Sequence, residues 1–306
     1  MTREDISFQT SDDITLRGWF YTPSSPPSTP LPCLILSHGF SALKEMDLST
    51  FASHFTTHLP LTCLVYDNRN FGSSDNHASS PRQEIIPSQQ CSDISDAITY
   101  VQGREDVDAE KVGIWGSSYS GGHVLWVGAV DRRVKVVLSQ VPCVSGWDNF
   151  HRLIRPDFIP GLNQMFQGDR LARAAGKTAG MIPVVDPNPL ATSALPTPES
   201  YTFFMDWEKK CDWKNEVTVK TTRIEEFRAY DPAAHIHHIS PTPLLLTVAE
   251  NDTLTPTDLA LAAYARALEP KELHILPGGH FGGYSGPNFE KNAGRQVDFL
   301  KKTLCA

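Results

Sequence analysis

Several things are scarce in this chain. No apolar run reaches the roughly 20 residues that a membrane-spanning helix needs. The first residues show no basic-then-apolar leader pattern. Lys and Arg number 27 against 35 Asp and Glu, a formal net charge of −8, so no basic face for nucleic acid or anionic lipid is expected. The cysteines, Cys33, Cys63, Cys91, Cys143, Cys211 and Cys305, form no C-x-x-C pair. They read as reduced, with Cys33, Cys63 and Cys143 serving as small core residues. There is no Gly-x-Gly-x-x-Gly and no phosphate loop, so no cofactor is expected. His235, His237 and His238 crowd together, but no carboxylate or thiolate completes a metal set, and no metal is expected. Internal repeats are absent. The expectation is a soluble cytoplasmic protein with neither nucleic-acid nor membrane partners; oligomeric state is left open.

What is present suits a large folded core: 306 residues, 40% apolar and 20% charged. Residues 5–21 alternate as a hairpin turned at Asp12-Asp13. After a Pro/Ser-rich connector over Pro23–Pro32, short apolar runs alternate with helical spacing. The strands are expected at Cys33–Leu36, Thr62–Tyr66, Val112–Trp115, Val134–Leu138, Leu244–Val248 and Leu273–Leu276. Helices are expected near Lys44–His58, Ser92–Val101, Tyr119–Ala129, Thr257–Leu268 and Asn288–Leu304. Continuous apolar strands between helices imply a mostly parallel, twisted sheet with helices on both faces.

Between about Pro142 and Ile239 the alternation stops. So long a stretch without structure is implausible in a compact domain, and it reads as an inserted helical cap, with one short helix at Asp169–Lys177 and an irregular crossing at Pro183–Pro198. The domain assignment is 1–141 and 240–306 for the α/β core and 142–239 for the cap. Trp147, Phe150, Phe166 and Phe204 are its candidate substrate-binding residues, because pockets are mostly apolar and often lie between such units.

The run Lys111-Val-Gly-Ile-Trp-Gly-Ser-Ser-Tyr-Ser-Gly-Gly-His123 carries the chemistry. A strand that turns sharply into a helix can hold the turn residue exposed and strained, as in a nucleophile elbow. Ser118, two residues past Gly116, is the candidate nucleophile. Ser120 is the rival, and it falls inside the helix. Serine needs a base, and the base needs orienting. His280, after Pro277-Gly-Gly, is the candidate base. Asp252, after the Leu244–Val248 strand, is the candidate orienting acid, with Glu250 and Asp258 as alternatives. Backbone N–H groups of Phe40, after Ser37-His38-Gly39, and of Tyr119 are the candidate oxyanion donors. Asp67 and Arg69 read as residues that pin their own loop.

These elements resemble the α/β-hydrolase superfamily. Gly116-Ser-Ser-Tyr-Ser-Gly121 is similar to the elbow of its Xaa-Pro dipeptidyl-peptidase-like branch. Tyr66-Asp-Asn-Arg-Asn-Phe-Gly72, Ser139-Gln-Val-Pro142, Ala249-Glu-Asn-Asp-Thr-Leu-Thr-Pro256 and Pro277-Gly-Gly-His-Phe281 resemble the fungal polyketide transferase and thiohydrolase group. That resemblance implies release of a polyketide acyl chain from a thioester by hydrolysis, transfer or lactonisation. It also implies an acyl thioester partner such as the carrier domain of a polyketide synthase. The residues themselves reach only serine-dependent acyl transfer in a covered apolar site. Two alternatives stand beside it. One is a small-molecule esterase or peptidase-like hydrolase, whose amine anchor would be Asp157, Asp169, Glu199 or Asp206. The other is a hydrolase fold kept as a non-catalytic binding protein.

Overall fold

Burial on two faces is what makes strands of the short apolar runs. In the computed structural model, residues 1–78, 80–220 and 226–306 are described. An antiparallel pair comes first, β1 (Thr2–Gln9) and β2 (Thr15–Thr22), turned at Asp13 with φ 63°. Then β3 (Leu31–Ser37), α1 (Leu48–His58), β4 (Thr62–Tyr66), α2 (Pro87–Gln102), β5 (Val107–Ser117), α3 (Tyr119–Val130) and β6 (Val134–Gln140) alternate. Away from the sheet run α4 (Gly146–Leu153), α5 (Ile159–Ala174), β7 (Met181–Ile182), α6 (Pro198–Glu208) and β8 (Val217–Thr218). After a 3-10 turn at Pro232–His238, the chain closes with β9 (Leu244–Ala249), α7 (Thr257–Arg266), β10 (Lys271–Leu276) and α8 (Pro287–Thr303).

The main sheet has the order β1-β2-β4-β3-β5-β6-β9-β10, parallel from β4 to β10. Successive residues of one strand face opposite layers. Cys33 and Ile35 pack with α2 and α3, while Leu34 and Leu36 pack with α1 and α8. Each such side chain contributes roughly 1.5–3 kcal/mol by leaving water. The chain steps from β3 outward to β4, then crosses back over β3 to β5. The connections therefore run on opposite faces, and a crevice opens between the carboxyl ends of β3 and β5. A third apolar cluster, with Phe40, Tyr119, Phe150, Phe166, Phe204 and Trp213, covers those ends.

Two helices differ from expectation. α1 starts at Leu48 rather than Lys44, because Asp47 is left-handed at φ 66° and Lys44 is drawn inward to the Asp67 carboxylate at 2.6 Å. The helix expected at Asp169–Lys177 is the second half of α5, which begins at Ile159. Phe166 is the one fully buried residue of α5, so its apolar spacing was too faint to mark the start. No helix among the described residues is long and apolar enough to cross a membrane.

Gly116 has no room for a side chain: a Cβ there would lie 2.1 Å from the Ser120 carbonyl oxygen. Gly294, inside α8, has nothing within 4 Å of that position. Gly116→Ala should therefore lower unfolding stability by roughly 2–4 kcal/mol. Gly294→Ala should raise it by roughly 0.5–1 kcal/mol. Urea-denaturation midpoints check both signs.

Candidate active site

The geometry starts at a strained residue. Ser118 joins β5 to α3 with φ 58° and ψ −117°, a conformation that costs a non-glycine residue about 1–3 kcal/mol. Its neighbours hold it there. The Ser118 N–H donates to the Gln140 carbonyl at 2.9 Å, and the Cys143 N–H donates to the Ser118 carbonyl at 2.9 Å. Gly121 lies so close to β6 that a Cβ would be 2.8 Å from the Gln140 oxygen. Ser120, the rival nucleophile, is wholly buried; its hydroxyl donates to the His38 carbonyl and lies 3.0 Å from Ser37 Oγ. It ties the β3 loop to the elbow, whereas Ser118 is half-buried and lines the cavities described below.

His280 Nε2 is 2.9 Å from Ser118 Oγ, and His280 Nδ1 is 2.8 Å from Asp252 Oδ2. The Asp252 carboxylate is fixed in turn by the N–H groups of Leu254 and Thr255 at 2.9 and 2.8 Å. Thr255 Oγ1 lies 3.0 Å from Asp252 Oδ2 and 2.9 Å from the Val141 carbonyl. Thr255 had no signal in the sequence beyond its place in the acidic loop. Of the alternative acids, Glu250 is exposed and Asp258 pairs with Arg152 at 2.9 Å. With Nδ1 protonated toward Asp252, Nε2 is free to accept the serine proton. His280 and Asp252 are both buried, so solvent does not weaken the bond between them.

The loop after β3 presses on this array. A Cβ on Gly39 would lie 2.9 Å from Ser118 Cβ, so only glycine lets Phe40 come so near. The N–H groups of Phe40 and Tyr119 donate to no other backbone carbonyl among the described residues. The Phe40 ring lies edge-on to Tyr119 at 5.7 Å. Burial pushes the His38 imidazole below its ordinary pKa, so it stays neutral and accepts the Asn68 N–H at Nε2, 3.1 Å away. Asp67 holds Lys44 and the Ser73 N–H, and Arg69 holds Asp12 and Asp93, as expected of residues that pin their loop.

Two apolar cavities meet at Ser118. The larger runs between α4 and α5 and includes Phe150, Phe166, Leu162, Met165, Ile182 and Phe227. The smaller lies toward α1 and α6 and includes Phe204. Trp147 lines neither: it is 55% exposed, with its ring against His151. The expectation for Trp147 is thus corrected. Position 147 sits on the outer side of the first turn of α4, while Phe150 faces inward.

α6 braces the base. Its Glu199 accepts the Phe281 N–H at 2.8 Å, and Phe203, one turn on, stacks on the Phe281 ring at 4.1 Å. Gly279 leaves room for that carboxylate; a Cβ would lie 2.5 Å from Glu199 Oε2. Trp213 Nε1 donates to the Ser41 carbonyl at 2.7 Å, beside the Phe40 loop. In the sequence Glu199 stands out only as a candidate amine anchor. The other acids weighed for that role are paired: Asp157 with Arg155, Asp169 with Arg173 and Asp206 with Lys209. In the 3-10 turn the His238 ring stacks on His235 at 5.9 Å and meets His237 at a tilt at 4.0 Å. Among the described residues no His, Cys, Asp or Glu group of three or more converges as metal ligands.

The comparisons agree with this architecture. Residues 32–287 match the family model described as alpha/beta hydrolase fold. The polyketide transferase grgF of a Penicillium species is 31% identical over 99% of this chain and 98% of that protein. A thiohydrolase of Eupenicillium brefeldianum is 30% identical over 98% of this chain and 94% of its own length. The crystal structure of the alpha/beta hydrolase GrgF from Penicillium sp. sh18 superposes with a TM-score of 0.85 at 29% identity, covering both chains fully.

Ser118→Ala and His280→Ala should each lower kcat by about 10⁴-fold or more, and the double variant little further, because the groups act as a unit. Asp252→Asn should cost less than either; steady-state kinetics of all four variants reads this. Glu199→Ala should lower kcat by about tenfold at nearly constant KM, since it loosens the base without touching substrate. Glu199→Gln, which keeps an acceptor oxygen, should recover most of the loss.

Proposed function

The chain belongs to the α/β-hydrolase family, a hydrolase or transferase among relatives named polyketide transferase and thiohydrolase, and we propose that it is a serine enzyme that takes an acyl chain from a thioester. The observation that carries the reading is the single imidazole of His280 bridging Ser118 and Asp252 at the wall of an apolar cavity.

In this reading Ser118 Oγ attacks the thioester carbonyl while His280 Nε2 takes its proton. The oxyanion receives the N–H groups of Phe40 and Tyr119, a type of contact worth on the order of 3 kcal/mol per donor in the transition state. The C–S bond breaks, His280 protonates the departing thiol, and the acyl group rests on Ser118. A hydroxyl compound then attacks with the same base. Residues 142–239 serve as the cap, and the chain lies along Phe150 and Phe166. The donor is a polyketide acyl thioester, presented by a carrier domain or as a small thiol ester. Glu199 is occupied by the Phe281 N–H and the other three acids by their basic neighbours, which argues against a free-amine peptidase site.

An N-acetylcysteamine thioester series tests the substrate class. The octanoyl thioester should exceed the acetyl one in kcat/KM by at least about tenfold, since each methylene in an apolar pocket adds discrimination. Release no faster than without protein, or equal rates for both chains together with rapid p-nitrophenyl acetate turnover, would overturn it in favour of a small-ester hydrolase.

A further inference from the structure

Two short polar side chains on the wall of the larger cavity have no protein partner and no part in the Ser118 array. Asn149, 5% exposed, and Ser193, 8% exposed, both line that cavity. Neither the Asn149 amide nor the Ser193 hydroxyl has a hydrogen-bond partner among the described residues. Resting on the thioester reading above, we infer that these two groups read an oxygen carried by the acyl chain. The preferred donor is then a keto- or hydroxyacyl thioester rather than a plain fatty one.

The fold gives neither residue another task. Asparagine is a poor helix former, and Asn149 sits inside α4 beside the inward-facing Phe150, where packing alone calls for an apolar side chain. Ser145 caps α4 by accepting the Asp148 N–H, and Thr197 caps α6 by accepting the Ser200 N–H. Asn149 and Ser193 make no such bond. Thr255, on the same cavity, is committed to Val141 and Asp252.

While the cavity is open, solvent can serve an amide and a hydroxyl. An acyl chain that fills it displaces that solvent, and methylenes offer nothing in return. Each buried polar group left unanswered opposes a plain chain by roughly 5- to 150-fold in affinity. A chain oxygen at the right depth removes that penalty. The amide supplies N–H donors and a carbonyl, and the serine hydroxyl donates or accepts, so a ketone and an alcohol can both be met. The Arg228 guanidinium lies against the Phe150 ring at 3.8 Å. Its positive charge near this wall favours the negative end of a C–O dipole and disfavours a chain that bears an ammonium group.

An oxygen scan along the chain tests the inference. The octanoyl N-acetylcysteamine thioester is compared in kcat/KM with relatives that carry a ketone at the third, fifth or seventh carbon, uncatalysed rates subtracted. The hydroxy relative at the favoured carbon separates a ketone from an alcohol. One oxygenated chain should exceed octanoyl by at least about tenfold. Asn149→Leu, matched in shape but apolar, should raise octanoyl turnover and lower that of the favoured chain, so their ratio drops by at least about tenfold. Ser193→Ala should lower the same ratio by about threefold or more. A change that merely loosened the fold would lower both substrates alike and leave the ratio where it was. The two variants are read separately, so either decides if the other does not fold. Octanoyl preferred to every oxygenated chain, or a ratio that neither substitution moves, would overturn the inference while leaving thioester cleavage intact. Failure of the wild-type protein to release any acyl group would instead bring down the thioester reading, and the inference with it.

Discussion

The array depends on one backbone position held where an L-residue does not rest easily. Ser118 keeps φ 58° because the elbow on both sides of it is built from small residues. Gly116 yields space to the Ser120 carbonyl, Gly121 to the end of β6, and Gly39 to Ser118 itself. The strain is held by the hydrogen bond that Ser118 donates to the Gln140 carbonyl, by the one that it accepts from the Cys143 N–H, and by a sheet buried on both faces. Because β3 and β5 lead away on opposite faces, their carboxyl ends form the crevice where Ser118 Oγ, His280 and the Phe40 loop meet. A turn elsewhere along the sheet would bring no such set together.

Around that point the remaining elements act as supports. α8 reaches under the elbow through a buried amide chain, in which Asn292 and Gln296 both donate to Gln140 Oε1. Trp115 joins it by donating to Gln296 Oε1 at 2.6 Å. α6 works from above, with Glu199 on the backbone beside His280 and Trp213, past its end, on the carbonyl of Ser41. The same segment that walls off the cavities thus also steadies the loops that carry His280 and Phe40. The α6 segment and the Ser118–His280–Asp252 array are therefore linked through few bonds, all of them short and at least partly shielded.

Much of this was legible in the sequence. The strands are short, uniformly apolar and separated by helical spacing, so two-sided burial writes itself directly into residue order. Ser118, Asp252 and His280 stood out because each follows a strand and occurs in a turn rich in Gly, Asn or Asp. What could not be read depends on tertiary closure. Glu199 is one of many acids until the Gly279 loop folds under it. Thr255 looks like a helix-flanking polar residue until Val141 and Asp252 converge on it. Trp147 and Phe150 share one helix and one chemical character, and only the rotation of α4 sends one outward and the other inward. The start of α5 was faint for a related reason: a helix with a single deeply buried residue leaves little periodicity.

On the proposed mechanism Ser118 carries the acyl group between donor and acceptor. The most direct measurement is an acid quench during turnover of an octanoyl thioester, followed by intact-mass and peptide mass spectrometry. A species heavier by the octanoyl group, mapped to Ser118 and missing in Ser118→Ala, is the expected result. Steady turnover with the adduct on another residue, or undiminished turnover by Ser118→Ala, would contradict it.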